Sequence, residues 1–276
     1  MSLRINNNVE AFNTHRVLVS SADKMAKSME RLSSGYRINR ASDDAAGLAI
    51  SEKMRGQITG LAQAQRNAQD GVSLVQTGEG ALNEVHSMLQ RVRELRVQYG
   101  NDTLNATDKT AIRAEVTQLA TEIGDIRTNT KFNGTALLNA SGSVALQVGA
   151  NDSESITIST TDLVAGTGMA EVVASATTAS DAGFVALSLS DIDTAIQEVS
   201  TKRADFGSVQ NRLDHRLANL SSYQENLIAA ESRIRDVDMA EEMVTMTKYQ
   251  ILQQAGTSML AQANQLPQSV LSLLRG

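Results

Sequence analysis

The sequence predicts a mainly α protein, a long antiparallel helical bundle or coiled coil formed by both chain ends, with a small β-hairpin in the middle. Three observations predict it. Apolar residues recur at intervals of three and four over long stretches of both halves, the spacing of one helix face. The 276 residues hold a single proline, Pro267, so nothing breaks helices tens of residues long. One short central stretch changes to period two.

Residues 6–36 carry Val9, Phe12, Val19, Ala22, Met25, Met29 and Leu32, a narrow apolar stripe at helical spacing, and Gly35 ends it. Ser42 and Asp43 offer an N-cap for the next helix. Residues 42–99 are the longest helical pattern, roughly 80 Å at 1.5 Å per residue. Its stripe is Met54, Ile58, Leu61, Ala68, Val72, Val75, Leu82 and Leu89, with Gln65, Glu79 and His86 at the skipped positions, and Val85, Met88, Val92, Leu95 and Tyr99 widen it near the end. Gly71, Gly78 and Gly80 weaken it and allow a kink. Gly100-Asn101-Asp102 reads as a turn, and Thr107 as the cap of a third helix holding Ile112, Val116, Leu119, Ile123 and Ile126. Asn133-Gly134 closes the helical region.

Val144, Leu146 and Val148 alternate with polar residues, and Ile156 and Ile158 do the same, which predicts a hairpin over 143–160. Residues 163–183, rich in Ala, Gly, Ser and Thr, read as loop or small irregular structure. Ser190-Asp191-Ile192-Asp193 resembles a capping box. Beyond it Ile192, Ile196, Val199, Phe206, Leu213, Leu217, Leu220, Leu227 and Ile234 hold a heptad seam, interrupted by Arg203, Gln210, Gln224 and Glu231. A seam this long needs partner helices, and the N-terminal half supplies them. The expected organisation is a discontinuous terminal coiled-coil domain, 1–41 with 236–276, and a helical bundle domain, 42–235, carrying the hairpin. The terminal segments hold too little apolar surface to fold alone and need neighbouring molecules.

Composition excludes much. Aromatics are 3% and Trp is absent, so the core must be aliphatic. With 25 Lys and Arg against 31 Asp and Glu, the net charge of −6 offers no basic surface for nucleic acid. Cysteine is absent, which removes disulfides, thiolate metal sites and thiol nucleophiles. No apolar run is long enough to span a membrane, and the N-terminus shows no secretory leader. Composition alone predicts a cytoplasmic location.

The chemistry-bearing groups do not converge. His15, His86 and His215 lie on different predicted helices. Asp43 and Asp44 are neighbours in sequence at a helix N-terminus, where capping and the helix dipole account for them. Gly78-Glu79-Gly80 and Gly166-Thr167-Gly168 lack a preceding strand and phosphate-loop spacing. Asp236-Val237-Asp238 reads as a helix break with exposed acids. No catalytic residue, cofactor site or metal site follows, and the chain reads as a non-enzyme. Its unsatisfied apolar seams at both ends point to self-association by non-closing contacts, which build helical filaments.

The residues also carry a resemblance. Glu30-Arg31-Leu32-Ser33-Ser34-Gly35, Arg37-Ile38-Asn39 and Ser42-Asp43-Asp44-Ala45-Ala46-Gly47-Leu48-Ala49-Ile50 resemble the N-terminal signature of bacterial flagellins. Asn67-Ala68-Gln69-Asp70-Gly71 and Leu89-Gln90-Arg91-Val92-Arg93-Glu94-Leu95 continue it. Val209-Gln210-Asn211-Arg212-Leu213, Ala230-Glu231-Ser232-Arg233-Ile234-Arg235-Asp236-Val237-Asp238 and Leu260-Ala261-Gln262-Ala263-Asn264 match the C-terminal half. The likeness covers about four-fifths of the chain and fails only in the middle, a distribution that ordered motif strings make specific.

The resemblance implies a structural subunit that polymerises into the flagellar filament for swimming, in a short form without outer variable domains. It implies terminal segments that are disordered in the free subunit and paired at the filament core. It implies export through the flagellar type III apparatus to an extracellular filament, which reverses the cytoplasmic expectation. Partners implied are further copies of itself, an export chaperone, and hook-associated and cap proteins. The terminal assembly and chaperone segment maps to Leu266, Val270, Leu271, Leu273 and Leu274. Toll-like receptor 5 contact, known for many flagellins, maps to Arg91, Leu95 and Glu115. Rival readings are a chemoreceptor hairpin, which would lack the period-two segment, and a hook–filament junction protein, which shares the terminal helices.

Overall fold

Asn8 accepts a hydrogen bond from the Ala11 amide (3.1 Å) and starts α1, Val9–Ser34; Gly35 closes it in the left-handed conformation at φ 76°. The computed structural model describes the backbone of residues 8–177 and 187–275, and side chains over 8–174 and 187–265. Among these, α2 spans Ala45–Tyr99, α3 Ala106–Asn129, α4 Thr167–Thr177, α5 Leu189–Arg235 and α6 Met239–Arg275. Strands β1, Lys131–Phe132, and β2, Thr135–Ala136, pair antiparallel, as do β3, Gly142–Gln147, and β4, Ser155–Thr160. The mainly α architecture with a central hairpin is therefore the one the periodicity predicts.

The chain divides into two compact units, residues 1–56 with 226–276, and residues 57–225. In the second unit the seam of α2 buries Leu61, Ala68, Val75, Leu82 and Leu89 at intervals of seven, all from the predicted stripe. The alternate register is Ala64, Gly71, Gly78, Val85 and Val92, not Gln65, Val72, Glu79 and His86. The glycines thus face inward, and α2 continues through them without a break. Their partners supply the bulk: Leu146 of β3 fills the notch at Gly71, and Phe206 of α5 fills the one at Gly78. On α5 the heptad positions Ile192, Val199, Phe206, Leu213 and Leu220 are buried as predicted.

Polar seam residues pair with one another. The Gln65 amide donates to Gln224 Oε1 (2.9 Å), and Arg203 lies 3.9 Å from Glu79. Such pairs penalise a slipped register more than they add stability.

The helix starts differ from the sequence reading by one or two residues. The Asp44 carboxylate, not Ser42 or Asp43, accepts from the third helical amide of α2, Gly47, at 2.9 Å. Asn105, not Thr107, caps α3 through a reciprocal capping box with Asp108. Ser188, not Ser190, caps α5: its hydroxyl accepts from the Asp191 amide (3.1 Å) and the Ser188 amide donates to Asp191 (3.0 Å). The Ser188 hydroxyl, which also donates to the Asp191 carboxylate (2.6 Å), and then the Ser188 amide hold that carboxyl below its ordinary pKa. In each case several Ser, Thr, Asn or Asp residues compete within a few positions, and sequence alone does not rank them.

Residues 131–136 form a two-residue hairpin rather than a plain helix end. Asn133 and Gly134 both take positive φ, 47° and 82°, the turn that an Asn-Gly pair favours. In β3–β4, Val144 lies opposite Ile158 and Leu146 opposite Ile156. Residues 163–177, read as loop, fold into a 3-10 turn, Leu163–Ala165, and α4. Glu198 explains α4: its carboxylate accepts from the amides of Gly168 (3.3 Å) and Met169 (3.2 Å) and caps the helix from α5. The rest of the predicted loop, 178–183, lies outside the described residues.

Candidate functional site

The first unit is built from α1 and α6 running antiparallel. Asn8 donates to the Ala263 carbonyl (2.7 Å), Lys24 lies over the Tyr249 ring (5.7 Å), and Arg31 lies 3.5 Å from Glu242. The buried positions of this pair are small or polar: Ser21 and Ser28 on α1, Glu242 and Ala263 on α6. Leu18 packs against Gly256 of α6, but many large apolar side chains stay in solvent. Val9, Phe12, Val19 and Met29 are exposed on α1, and Met239, Met243, Val244, Ile251, Leu252 and Met259 on α6. Phe12 is 72% exposed and Val244 71%.

This fits the reading of α1 as a seam left unsatisfied within the chain. Four of the seven residues in its predicted stripe face away from the partner helix. The missed signal is Ser21 and Ser28, seven residues apart, buried on one face with the half-buried Met25 and Leu32. The arrangement has a direct energetic consequence. Burying a Val, Ile, Phe or Met side chain contributes about 1.5–3 kcal/mol. A handful of these supplies on the order of 10 kcal/mol, enough to offset the roughly 4–15 kcal/mol that association costs. The pair is an adhesive surface whose apolar groups find no cover within their own unit.

The breaks before α2 and after α5 are joined to each other. The Arg37 amide donates to the Arg235 carbonyl (2.7 Å) and the Val237 amide to the Gly35 carbonyl (3.0 Å), bracketing an antiparallel bridge between Tyr36 and Asp236. The Arg235 guanidinium stacks over Tyr36 (4.8 Å) and bonds Glu52 (2.8 Å), which lowers the Glu52 pKa. Asp43 binds this joint to α1. Lys27 Nζ lies 2.7 Å from Oδ1, while the amides of Arg40 (3.1 Å) and Asn39 (3.2 Å) donate to Oδ2. Lys27 first, then the Arg40 amide, hold the Asp43 carboxyl at about 2, below its ordinary 3.8.

The other residues singled out by sequence fall in two places. Arg91 and Glu115 come together on the surface of the second unit, with Nη2 2.9 Å from Oε1, and Glu94 flanks Arg91 at 3.1 Å. Glu115, then Glu94, raise the Arg91 pKa above its ordinary value. Leu95 does not join them; it is 2% exposed, in the core with Val92 and Ile112. Leu266, Val270, Leu271, Leu273 and Leu274 lie in the last turns of α6, beyond the described side chains. Among the described residues no group of His, Asp or Glu gathers at metal-binding distances, and no helix is long and apolar enough to cross a membrane.

Residues 5–143 match the bacterial flagellin N-terminal helical region, and residues 189–274 the bacterial flagellin C-terminal helical region. This chain belongs to the bacterial flagellin family. It is 50% identical to the flagellin of Bacillus subtilis (strain 168) over 99% of this chain and 100% of the relative. It is 53% identical to the flagellin of Halalkalibacterium halodurans over 98% and 99%. A flagellar filament 33 kDa core protein of Treponema phagedenis is 45% identical over 98% and 99%. Among solved structures, a putative flagellar hook-associated protein from Vibrio parahaemolyticus shares the fold, with TM-score 0.58, 15% identity and coverage of 70% of this chain and 100% of that one. The matches to the two helical regions leave residues 144–188 between them, which hold most of the β3–β4 hairpin and α4. The family is a structural one.

Proposed function

We infer that this chain is a structural subunit of the bacterial flagellar filament, in a short form with little outside its core and bundle layers. The observation that carries the reading is the inverted polarity of the α1–α6 pair. It hides serines and alanine and displays Phe12, Val244, Ile251 and their neighbours, which suits contacts with further copies. A heterologous contact of this kind propagates rather than closes. In this reading residues 1–41 and 236–276 form the filament core and 42–235 the surrounding layer. The subunit leaves the cell through the flagellar export apparatus and works outside it. The test is seeded polymerisation followed by electron microscopy. Long filaments are expected from the full chain and none from a chain lacking Leu266–Gly276; filaments from the truncated chain would remove the terminal helix from the assembly surface.

Two further partners are proposed. The C-terminal segment through Leu274 is the binding region for an export chaperone, and capture by the chaperone should be lost on deletion of 236–276. Arg91 and Glu115, paired and exposed, are the surface that Toll-like receptor 5 contacts. Leu95 supports that surface from beneath. Replacing Arg91 and Glu115 together by alanine tests the contact without opening the core. Unchanged receptor activation would remove the assignment.

A further inference from the structure

The exposed methionines of this chain gather in one unit, in which Met25, Met54 and Met246 are half-buried. Among the described residues, Met29, Met239, Met243 and Met259 are 47%, 49%, 52% and 59% exposed, and all four belong to the α1–α6 unit. In the other unit Met169 is fully buried and Met88 packs against the core. The exposed methionines lie on the same two helices as the exposed Phe12, Val244 and Ile251. Methionine is suited to such a face, because its unbranched, polarizable chain fits irregular partners. It is also the one apolar side chain that two-electron oxidants convert into a polar group.

We propose that Met29, Met239, Met243 and Met259 form an oxidant-sensitive modification site on the free subunit, and that their oxidation blocks addition to a filament. The inference rests on the filament reading. In the reaction a thioether sulfur attacks one oxygen of hydrogen peroxide. The S–O bond forms as the O–O bond breaks, sulfur loses two electrons, and the peroxide is reduced to water. Each product sulfoxide places a strong dipole on a surface whose contribution comes from leaving water. Exposed sulfur reacts; Met169, enclosed by the core, does not. Assembly covers the same sulfurs, so a completed filament is protected where a free subunit is vulnerable, and sulfoxide reductase reverses the block.

The experiment treats full-length subunit with hydrogen peroxide, removes the oxidant with catalase, and adds the protein to filament seeds. Peptide mass mapping reads each methionine. The expected result is oxidation at the four exposed positions, a reduced Met169, and a critical concentration for elongation raised about tenfold or more, the change that each ~1.4 kcal/mol of lost contact produces. Reductase treatment restores elongation. Peroxide applied to preformed filaments leaves the four positions largely reduced. The variant carrying Met29→Leu, Met239→Leu, Met243→Leu and Met259→Leu elongates equally before and after peroxide. If that variant does not elongate at all, the monomer-against-filament oxidation pattern of the native chain decides. Oxidised subunits that elongate like untreated ones, or equal oxidation of the four sites in monomer and filament, overturn the proposal. Failure of untreated subunits to extend seeds would instead overturn the filament reading itself.

Discussion

The ring of Phe206 lies against the bare backbone of Gly78, so that a Cβ there would stand 2.7 Å from Cε2. The seam between α2 and α5 therefore interlocks ring against notch. Gly80, two residues on, faces open space. The two glycines make a controlled pair. Gly80→Ala removes helix-interior glycine at no steric cost and should stabilise by roughly 0.5–1 kcal/mol. Gly78→Ala gains the same propensity but overpacks the seam, a cost of about 1–3 kcal/mol. We expect a net loss on the order of 1 kcal/mol for Gly78→Ala. Urea denaturation of the two variants side by side checks the opposite signs.

Gly168 sits closer still, to backbone rather than to a side chain. A Cβ there would meet the Ala195 amide nitrogen at 2.5 Å and the Asp191 carbonyl oxygen at 2.6 Å. Neither atom can rotate away, so Gly168→Ala must push α4 off α5 and weaken the Glu198 cap at its start. The expected outcome is faster amide hydrogen exchange throughout α4, with α2 and the far end of α5 protected as before, and a stability loss of about 1–3 kcal/mol. Unchanged exchange in α4 would show that the close approach does not fix this helix.

Asp43 predicts an acid limb to assembly. Its folded pKa is about 2 against an ordinary 3.8, because the carboxylate is bonded by Lys27 and two amides. A depressed folded value means the stabilisation is fully present above about 3.8 and is lost as pH falls towards about 2. Asp43→Asn cannot carry the charge at any pH. Filaments of the variant should melt lower than wild type near neutral pH, and the gap should narrow steadily as pH falls through that window. A gap independent of pH would mean the joint is held by its shape rather than by the Asp43 charge.

How legible all this was in the sequence depends on what kind of residue carried the information. The heptad on α5 could be read position by position, because Ile192, Val199, Phe206 and Leu213 are large and apolar and land in the core. On α2 the same reasoning finds one register throughout but only Val85 and Val92 of the other, since the rest is held by Ala64, Gly71 and Gly78. Residues without bulk give no hydrophobic signal, and their role exists only once Leu146 and Phe206 arrive from distant segments. The α4 helix was missed for a related reason. Its cap, Glu198, is about thirty residues away in sequence, beyond the reach of any local rule. On α1 the pattern is legible as a seam left unsatisfied within the chain, and Val9, Phe12, Val19 and Met29 are exposed accordingly. Arg91 and Glu115 meet on the surface, while Leu95 lies in the core, as an apolar residue at seam spacing does.

That outward stripe separates folding from assembly in a way substitution can expose. Phe12 and Val244 are each more than 70% exposed, so a polar replacement removes almost no contact within the subunit. Glutamine is at least as good a helix former as either residue, so Phe12→Gln and Val244→Gln should not weaken α1 or α6. Thermal melting of the free subunit is expected to match wild type. Polymerisation should not, because burying either side chain against a neighbouring copy contributes about 1.5–3 kcal/mol, and losing it raises the critical concentration roughly tenfold or more. Sedimentation of seeded reactions over a range of subunit concentrations measures this directly. If both variants polymerise at the wild-type concentration, the exposed faces of α1 and α6 lie outside the subunit contacts, and the buried stripe through Ser21 and Ser28 becomes the surface to examine.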